Sequence, residues 1–535
     1  MYDLLIRNGK IIDGTGAPGI FADVAVLGDK IAKIAPNIEE SSKITLDARG
    51  RIVTPGFIDF HSHSDMFVIF GTDGSNFLEQ GVTTEICGHC GASPPPTFLG
   101  SYSMVQSLVS EEEYNNILSM CDSFSKFSKY IETLKMGTNM AFFAGQGSIR
   151  AKVMGFSDEK PNDEQLNAMR AQVCEAMENG FLGISTGLIY PPSIYASEDE
   201  IVELAKEVAK YGGSYTSHIR CESDTVVEAV SEAIRIGEHS GCSVIISHLK
   251  IAGSKNEGKS SITLKLIEEA NDRGVYTRAD QYPYLAGSTG LISALPPQFA
   301  TEGKETLVEK LKGKDFRKEV TKALMNGSFG EKLLANSTFD GSLILVACET
   351  PEYVGKTLAE VASLRKTDPY ETIYDLIVEN KGEVVMAYFV INESDMDAII
   401  AHPMVMPGTD AAYNTEKASV DKAAGCHPRV TGTFSKHFRL VRERNLFSVE
   451  DAIYRATGVP AETAKIDGIG YLKEGYAADI CILDWDNIRE NCDYLHPYRR
   501  NEGFDYVIVN GQIAVKDNVA TGAMAGKMLK MRRKV

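Results

Sequence analysis

The sequence predicts an α/β protein: a (β/α)8 TIM-like barrel accompanied by a small β-sandwich domain formed from both chain termini. Three observations predict it. Hairpin-like apolar segments lie at the two ends, strands and helices alternate between them, and successive strands end in histidine, cysteine or aspartate.

Asp3–Ile12 reads as two apolar strands joined at Asn8-Gly9, a dipeptide suited to the positive φ angles of a two-residue turn. Asp23–Ile34 repeats the pattern with a turn at Gly28-Asp29, and Asp505–Val515 mirrors the first segment, turning at Asn510-Gly511. Two such similar segments at opposite ends imply one composite β-domain from residues 1–57 and 465–535.

Over residues 58–464 short apolar strands, Thr83–Cys87, Met140–Ala144, Gly183–Thr186, Gly213–His218, Ser243–His248 and Val275–Asp280, are interleaved with helical stretches such as Asp199–Tyr211, Val226–Ser240 and Thr263–Arg273. Such alternation makes a parallel sheet, and this length favours a barrel. A doubly wound sheet would carry a Gly-rich phosphate loop after its first strand, and none is present. Residues 296–350 interrupt the alternation. Polar and helical over Lys304–Met325, they read as a lid inserted over the barrel mouth.

The chain of 535 residues has 43% hydrophobic and 24% charged residues and a formal net charge of −18. That charge repels phosphate backbones, so nucleic acid is not an expected partner. No apolar run reaches the ~20 residues needed to span a bilayer. The N-terminal stretch lacks the basic, apolar and small-residue sequence of a secretion signal, and a cytoplasmic location is expected. Ten scattered cysteines do not form a disulfide framework. Cys87-Gly-His-Cys90 leaves two readings open: a pair of half-buried thiols, or Cys90 as a single thiolate ligand.

Chemistry in a barrel gathers at the C-terminal ends of its strands. There the sequence places His61 and His63, then Cys90, His218, His248 and Asp410. His61 and His63 stand two apart, so on a strand both rings share a face and can bind one cation. Imidazole, thiolate and carboxylate together suit zinc better than magnesium or calcium. A catalytic zinc keeps a position for water and lowers its pKa, and Asp410 is the natural proton carrier to a leaving nitrogen.

With these residues in view, the chain resembles the amidohydrolase superfamily, and within it the D-aminoacylase (N-acyl-D-amino-acid deacylase) family. The resemblance rests on Thr54-Pro-Gly-Phe-Ile-Asp-Phe-His-Ser-His63, Gln80-Gly-Val-Thr-Thr84 with Gly88-His-Cys-Gly91, Gly183-Ile-Ser-Thr-Gly-Leu-Ile-Tyr-Pro-Pro192 and Ser217-His-Ile-Arg220. It continues through Ile246-Ser-His-Leu-Lys250, Asp280-Gln-Tyr-Pro-Tyr284, Ala286-Gly-Ser-Thr289, Gly408-Thr-Asp410, His427-Pro-Arg429 and Gly475–Asp484, nearly the whole chain.

It implies one tightly bound zinc on Cys90, His218 and Asp410, with His61, His63 and His248 at a second, weaker position. It also implies Lys250, Tyr282 and Arg429 on the substrate α-carboxylate, Tyr190 beside the scissile carbonyl, Ser288 orienting the substrate, and Ile189 with Tyr388–Ile391 bordering an apolar side-chain pocket. The implied reaction is hydrolysis of a small N-acyl-D-amino acid by metal-bound hydroxide, with Asp410 shuttling the proton.

Two features depart from the family pattern: Gly145-Gln-Gly-Ser-Ile-Arg150, where Gln146 cannot ionise, and a long 411–428 loop bearing Tyr413, Lys417 and Lys422. Two further readings stand beside the first. The same site could hydrolyse another N-substituted amino acid, a dipeptide or a cyclic amide, which a substrate panel with both enantiomers distinguishes. Alternatively, the chain is a non-catalytic scaffold on this fold, which metal analysis distinguishes.

Overall fold

The computed structural model describes residues 1–71, 73–100, 105, 109–327, 331–413 and 425–532. The molecule is α/β and contains several sheets.

A nine-stranded sheet joins both ends of the chain. Its seam is the antiparallel pairing of Ile52–Pro55 with Ile480–Leu483, where Pro55 faces Ile480 and Val53 faces Ile482. The second and third expected turns are present, between Ile20–Leu27 and Lys30–Ala35 and between Phe504–Val509 and Gln512–Lys516. The first is not. Tyr2–Ile11 is one continuous strand, and its register against Ile20–Leu27 slips between Ile6 and Gly9. Asn8, at φ +65°, forms a bulge there, with its N–H donated to Asp23 Oδ1 at 3.1 Å. A Cβ on Gly9 would stand 2.4 Å from Val53 Cγ2, so only glycine allows the neighbouring strand this close.

The central strands are parallel. Phe57–Asp59, Val82–Cys87 and Asn139–Phe142 pair in that order. After a break at Phe143, Ala144–Gly145 continues into Gly183–Gly187, Ser214–His218, Ser243–Ile246, Thr277–Gln281 and Val405–Pro407. A parallel bridge between Ser62 and Ala411 then links the last strand's extension to that of the first. The connecting helices carry ordinary start signals: Ser197 caps Glu198–Lys210 by accepting from Glu200 N, and Asn162 and Gln165 form a capping box for Asp163–Glu178. The largest apolar core lies among these strands and helices.

The interruption of the alternation is larger than residues 296–350. It includes a three-stranded antiparallel sheet in the order Ala286–Gly290, Val385–Phe389, Ser342–Val346. Helices including Lys304–Lys310 and Lys314–Asn326 pack around it, and it has a separate apolar core containing Leu291, Leu307, Ile344, Tyr374 and Met386. The helical stretch expected over Lys304–Met325 is therefore two helices, parted at Gly313. Among the described residues no helix is long and apolar enough to cross a membrane.

Candidate active site

Buried carboxylates with fixed backbone partners set the floor of the site. Asp59 is fully buried and accepts from Thr409 N at 2.9 Å, Thr409 Oγ1 at 2.6 Å and His61 N at 3.1 Å. It thereby locks the first and last parallel strands in register. Asp410 N donates to His61 O at 2.7 Å, and His63 N donates to Ala411 O at 2.8 Å, so Asp410 lies between the two rings. Asp280 does the same work two strands away: its Oδ1 accepts from His248 N at 2.8 Å and lies 3.0 Å from His61 Nδ1. Cys90, His248 and Asp410 all have positive φ, of +53°, +37° and +49°. These backbones are held where the chain alone would not place them, a common mark of a site built for a task.

The side chains converge accordingly. Asp410 Oδ1 is 3.2 Å from His63 Nε2 and 3.5 Å from His61 Nε2, and Cys90 Sγ is 3.5 Å from His61 Nε2 and 3.4 Å from His248 Nε2. All six expected ligands come together, but in a grouping different from the one the resemblance implied. One cluster is His61, His63, Cys90 and Asp410; the other is Cys90, His218 and His248. The physical reason is strand order. The His61/His63 and Asp410 strand ends are neighbours through the Ser62–Ala411 bridge, whereas Ser214–His218 and Ser243–Ile246 are paired to each other. Cys90 belongs to both clusters. Cys87 lies in the apolar core and Cys90 faces the site.

The donor chemistry fits a zinc-type cation. Both ring nitrogens of His218 are buried without a hydrogen-bond partner among the described residues, an arrangement costly to a protein unless something else engages them. Burial holds His61, His218 and His248 well below the usual imidazole pKa, so they present the neutral, ligating form. Burial pushes the Asp410 carboxyl up, but the Arg429 guanidinium and the histidines outweigh it and hold Asp410 well below the usual range. Arg429 Nη1 donates to Asp410 Oδ2 at 2.7 Å.

Above the clusters lies a cavity of about 450 Å³, lined by Ile189, Tyr190, Lys250, Tyr282, Ser288 and Arg429 together with His63, Cys90, His218, His248 and Asp410. Tyr282 is 1% exposed, its hydroxyl has no hydrogen-bond partner among the described residues, and its ring lies under both Arg429 (4.9 Å) and Lys250 (5.7 Å). Burial raises its phenol to about 12. Tyr190 donates to Thr289 Oγ1 at 3.2 Å, its ring is 5.0 Å from that of His218, and desolvation raises its phenol far above the usual value. Of Tyr388–Ile391, only Tyr388 and Val390 reach the cavity; strand alternation turns Phe389 outward, 42% exposed. Gln146 is structural: it accepts from Ser193 Oγ at 2.6 Å and donates to Glu200 Oε1 at 3.1 Å. Tyr413 donates to Asp73 Oδ1 at 3.2 Å, while Lys417 and Lys422 lie outside the described residues.

Glu222 was not singled out from the sequence. Its Oε1 is 3.0 Å from His248 Nδ1, 4.0 Å from His218 Nε2 and in contact with Lys250 Nζ. A carboxylate four residues after a strand-ending histidine was its only signal. Asp280 had a plainer one, since it stands one residue before the end of its strand, close to where the histidines stand on theirs.

Parallel strands converging on a cysteine, histidines and an aspartate define the class, and the comparisons agree. Residues 345–515 match the model of an amidohydrolase family. The chain is 33% identical to the D-aminoacylase of Alcaligenes xylosoxydans xylosoxydans, covering 99% of this chain and 97% of that one. It is 30% identical to the N-acyl-D-glutamate deacylase of the same organism, covering 95% and 93%. The crystal structure of N-acyl-D-glutamate deacylase from Bordetella bronchiseptica, complexed with zinc and a phosphonate mimic of the tetrahedral intermediate, superimposes with a TM-score of 0.82 at 29% identity, over 99% of each chain. The chain belongs to the D-aminoacylase family of amidohydrolases.

Proposed function

We propose that the protein hydrolyses N-acyl-D-amino acids to a carboxylate and a free D-amino acid, using zinc held by the shared cluster. The observation that carries this reading is Cys90, within 3.5 Å of imidazole nitrogens from both ligand groups, beneath a cavity whose wall carries Arg429 and Tyr282. The relatives act on N-acyl-D-amino acids by name, and one is known with zinc, which supports the reading.

His61, His63 and Asp410 would hold one metal position and His218 and His248 the other, with Cys90 common to both. When bound, zinc polarises the amide carbonyl and makes water a better nucleophile. Asp410, ionised at neutral pH, accepts the proton of the attacking water and delivers it to the leaving nitrogen. Tyr190, kept protonated by desolvation, donates a hydrogen bond to the oxyanion. Arg429, Lys250 and Tyr282 hold the α-carboxylate, a planar group matched by a guanidinium fork, and Ser288 orients it. Ile189, Tyr388 and Val390 border the D-side chain. Among the described lining residues the only lysine and arginine are Lys250 and Arg429, which favours a neutral, apolar side chain over an acidic one.

In the same reading the parallel strands of residues 58–464 close as a (β/α)8 barrel, and residues 1–57 and 465–535 form a composite β-domain beside it. The sequence of strand pairings and the shared terminal sheet support both statements.

A panel of N-acetyl-D- and N-acetyl-L-amino acids, dipeptides and cyclic imides, run with metal analysis of the same preparation, tests the function. Turnover of the D-series with stoichiometric zinc is expected. Turnover confined to L-amides or cyclic imides would refute it.

A further inference from the structure

Resting on the amide-hydrolase reading, we infer that a second cavity beside the first is an acyl-chain subsite, and that the preferred substrates carry a medium-chain or aryl-bearing N-acyl group rather than acetyl. The second cavity measures about 410 Å³ and shares Leu99, Gly100, Ile189, Tyr190, Pro191 and Ser293 with the cavity above the metal ligands. The two therefore adjoin at Tyr190, the residue assigned to the scissile carbonyl.

Most of the remaining described lining is apolar, Phe98, Phe156, Ile292, Leu295, Ala300 and Leu307 among it, with Thr97 polar. Among the described residues the charged lining is Lys304, which donates to Glu383 Oε1 at 2.5 Å, and Glu305, an exposed residue. Tyr195 fixes one wall by donating to Pro297 O at 2.7 Å. None of Arg429, Lys250 or Tyr282 reaches this cavity.

An N-acyl amino acid has three arms, and the site offers three directions. The carboxylate is drawn to Arg429 and Lys250, and the side chain has its own wall in Ala252, Leu333, Tyr388 and Val390. The acyl arm, attached at the carbonyl beside Tyr190, is left facing the apolar extension. An acetyl group ends before it, whereas a longer chain enters and leaves water.

The test compares N-acetyl-, N-butanoyl- and N-octanoyl-D-leucine on the wild type and on Ala300→Trp, which fills the second cavity. Ile292→Trp serves if that variant fails to fold. In the wild type kcat/KM is expected to rise about two- to fourfold per methylene that enters the cavity, and filling it should lower the octanoyl-to-acetyl ratio at least about tenfold. Equal kcat/KM for the three acyl groups, or a ratio insensitive to the substitution, overturns the inference while leaving the hydrolase reading intact. So does a substitution that penalises long D-side chains on N-acetyl substrates, because the cavity would then house the side chain. If no N-acyl-D-amino acid is hydrolysed, calorimetry with octanoate judges the cavity alone: binding to the wild type that is lost on filling supports an acyl site, and absence of binding overturns it.

Discussion

The floor and the roof of the cavity are built on different principles. The floor consists of strand ends, with Asp59 and Asp280 tying backbone N–H groups of neighbouring strands and Cys90, His248 and Asp410 held at positive φ. The roof, residues 286–391, rests on a sheet and core of its own and is tied to the segment after His248 by the Ala252–Ile391 bridge and by Gly253 N, which donates to Val390 O at 2.8 Å. Positions fixed by backbone hydrogen bonds tolerate little displacement, and they are where the chemistry is placed. Positions fixed by packing can exchange one apolar shape for another. In the proposed reading the floor therefore sets the reaction, and the roof sets which substrates reach it.

Three substitutions probe that contrast. Asp410→Asn removes the proposed proton carrier and is expected to lower kcat by about 10²- to 10⁴-fold with an unchanged circular dichroism spectrum; near-wild-type turnover would remove Asp410 from that role. Glu222→Gln leaves every proposed ligand in place but weakens the partner of His248 Nδ1. A metal titration should show affinity falling about 10- to 100-fold, and unchanged affinity would make Glu222 a partner of Lys250 alone. Leu291→Ala, at a residue 0% exposed in the roof core, should cost about 2–5 kcal/mol of stability by denaturant unfolding without altering metal stoichiometry. Metal loss in that variant would show that floor and roof are one cooperative unit.

The same division governs what the sequence revealed. His61, His63, Cys90, His218, His248 and Asp410 were legible because each follows a short apolar strand, a local pattern that needs no knowledge of distant residues. Their partition into two groups was not, because it depends on which strands are neighbours. Asn8-Gly9 and Asn510-Gly511 make the point with one dipeptide. The second pair forms a turn, whereas the first forms a bulge, because Val53 presses on Gly9 and Asp23 accepts from Asn8. The roof was underestimated for a related reason. Ala286-Gly-Ser-Thr-Gly290 lacks the alternation of a strand and becomes one only against Val385–Phe389, about a hundred residues later.

The seam between Pro55 and Ile480 has a consequence for the order of assembly. During synthesis the first five strands emerge early, yet Ile52–Pro55 must wait for Ile480–Leu483 before its open edge is covered. Contacts of such sequence separation form slowly, and an uncovered edge invites pairing with other chains. The nascent protein is therefore most prone to aggregate while its catalytic strands are already made and its last hairpin is not, a window that a chaperone or a slower rate of translation would shelter.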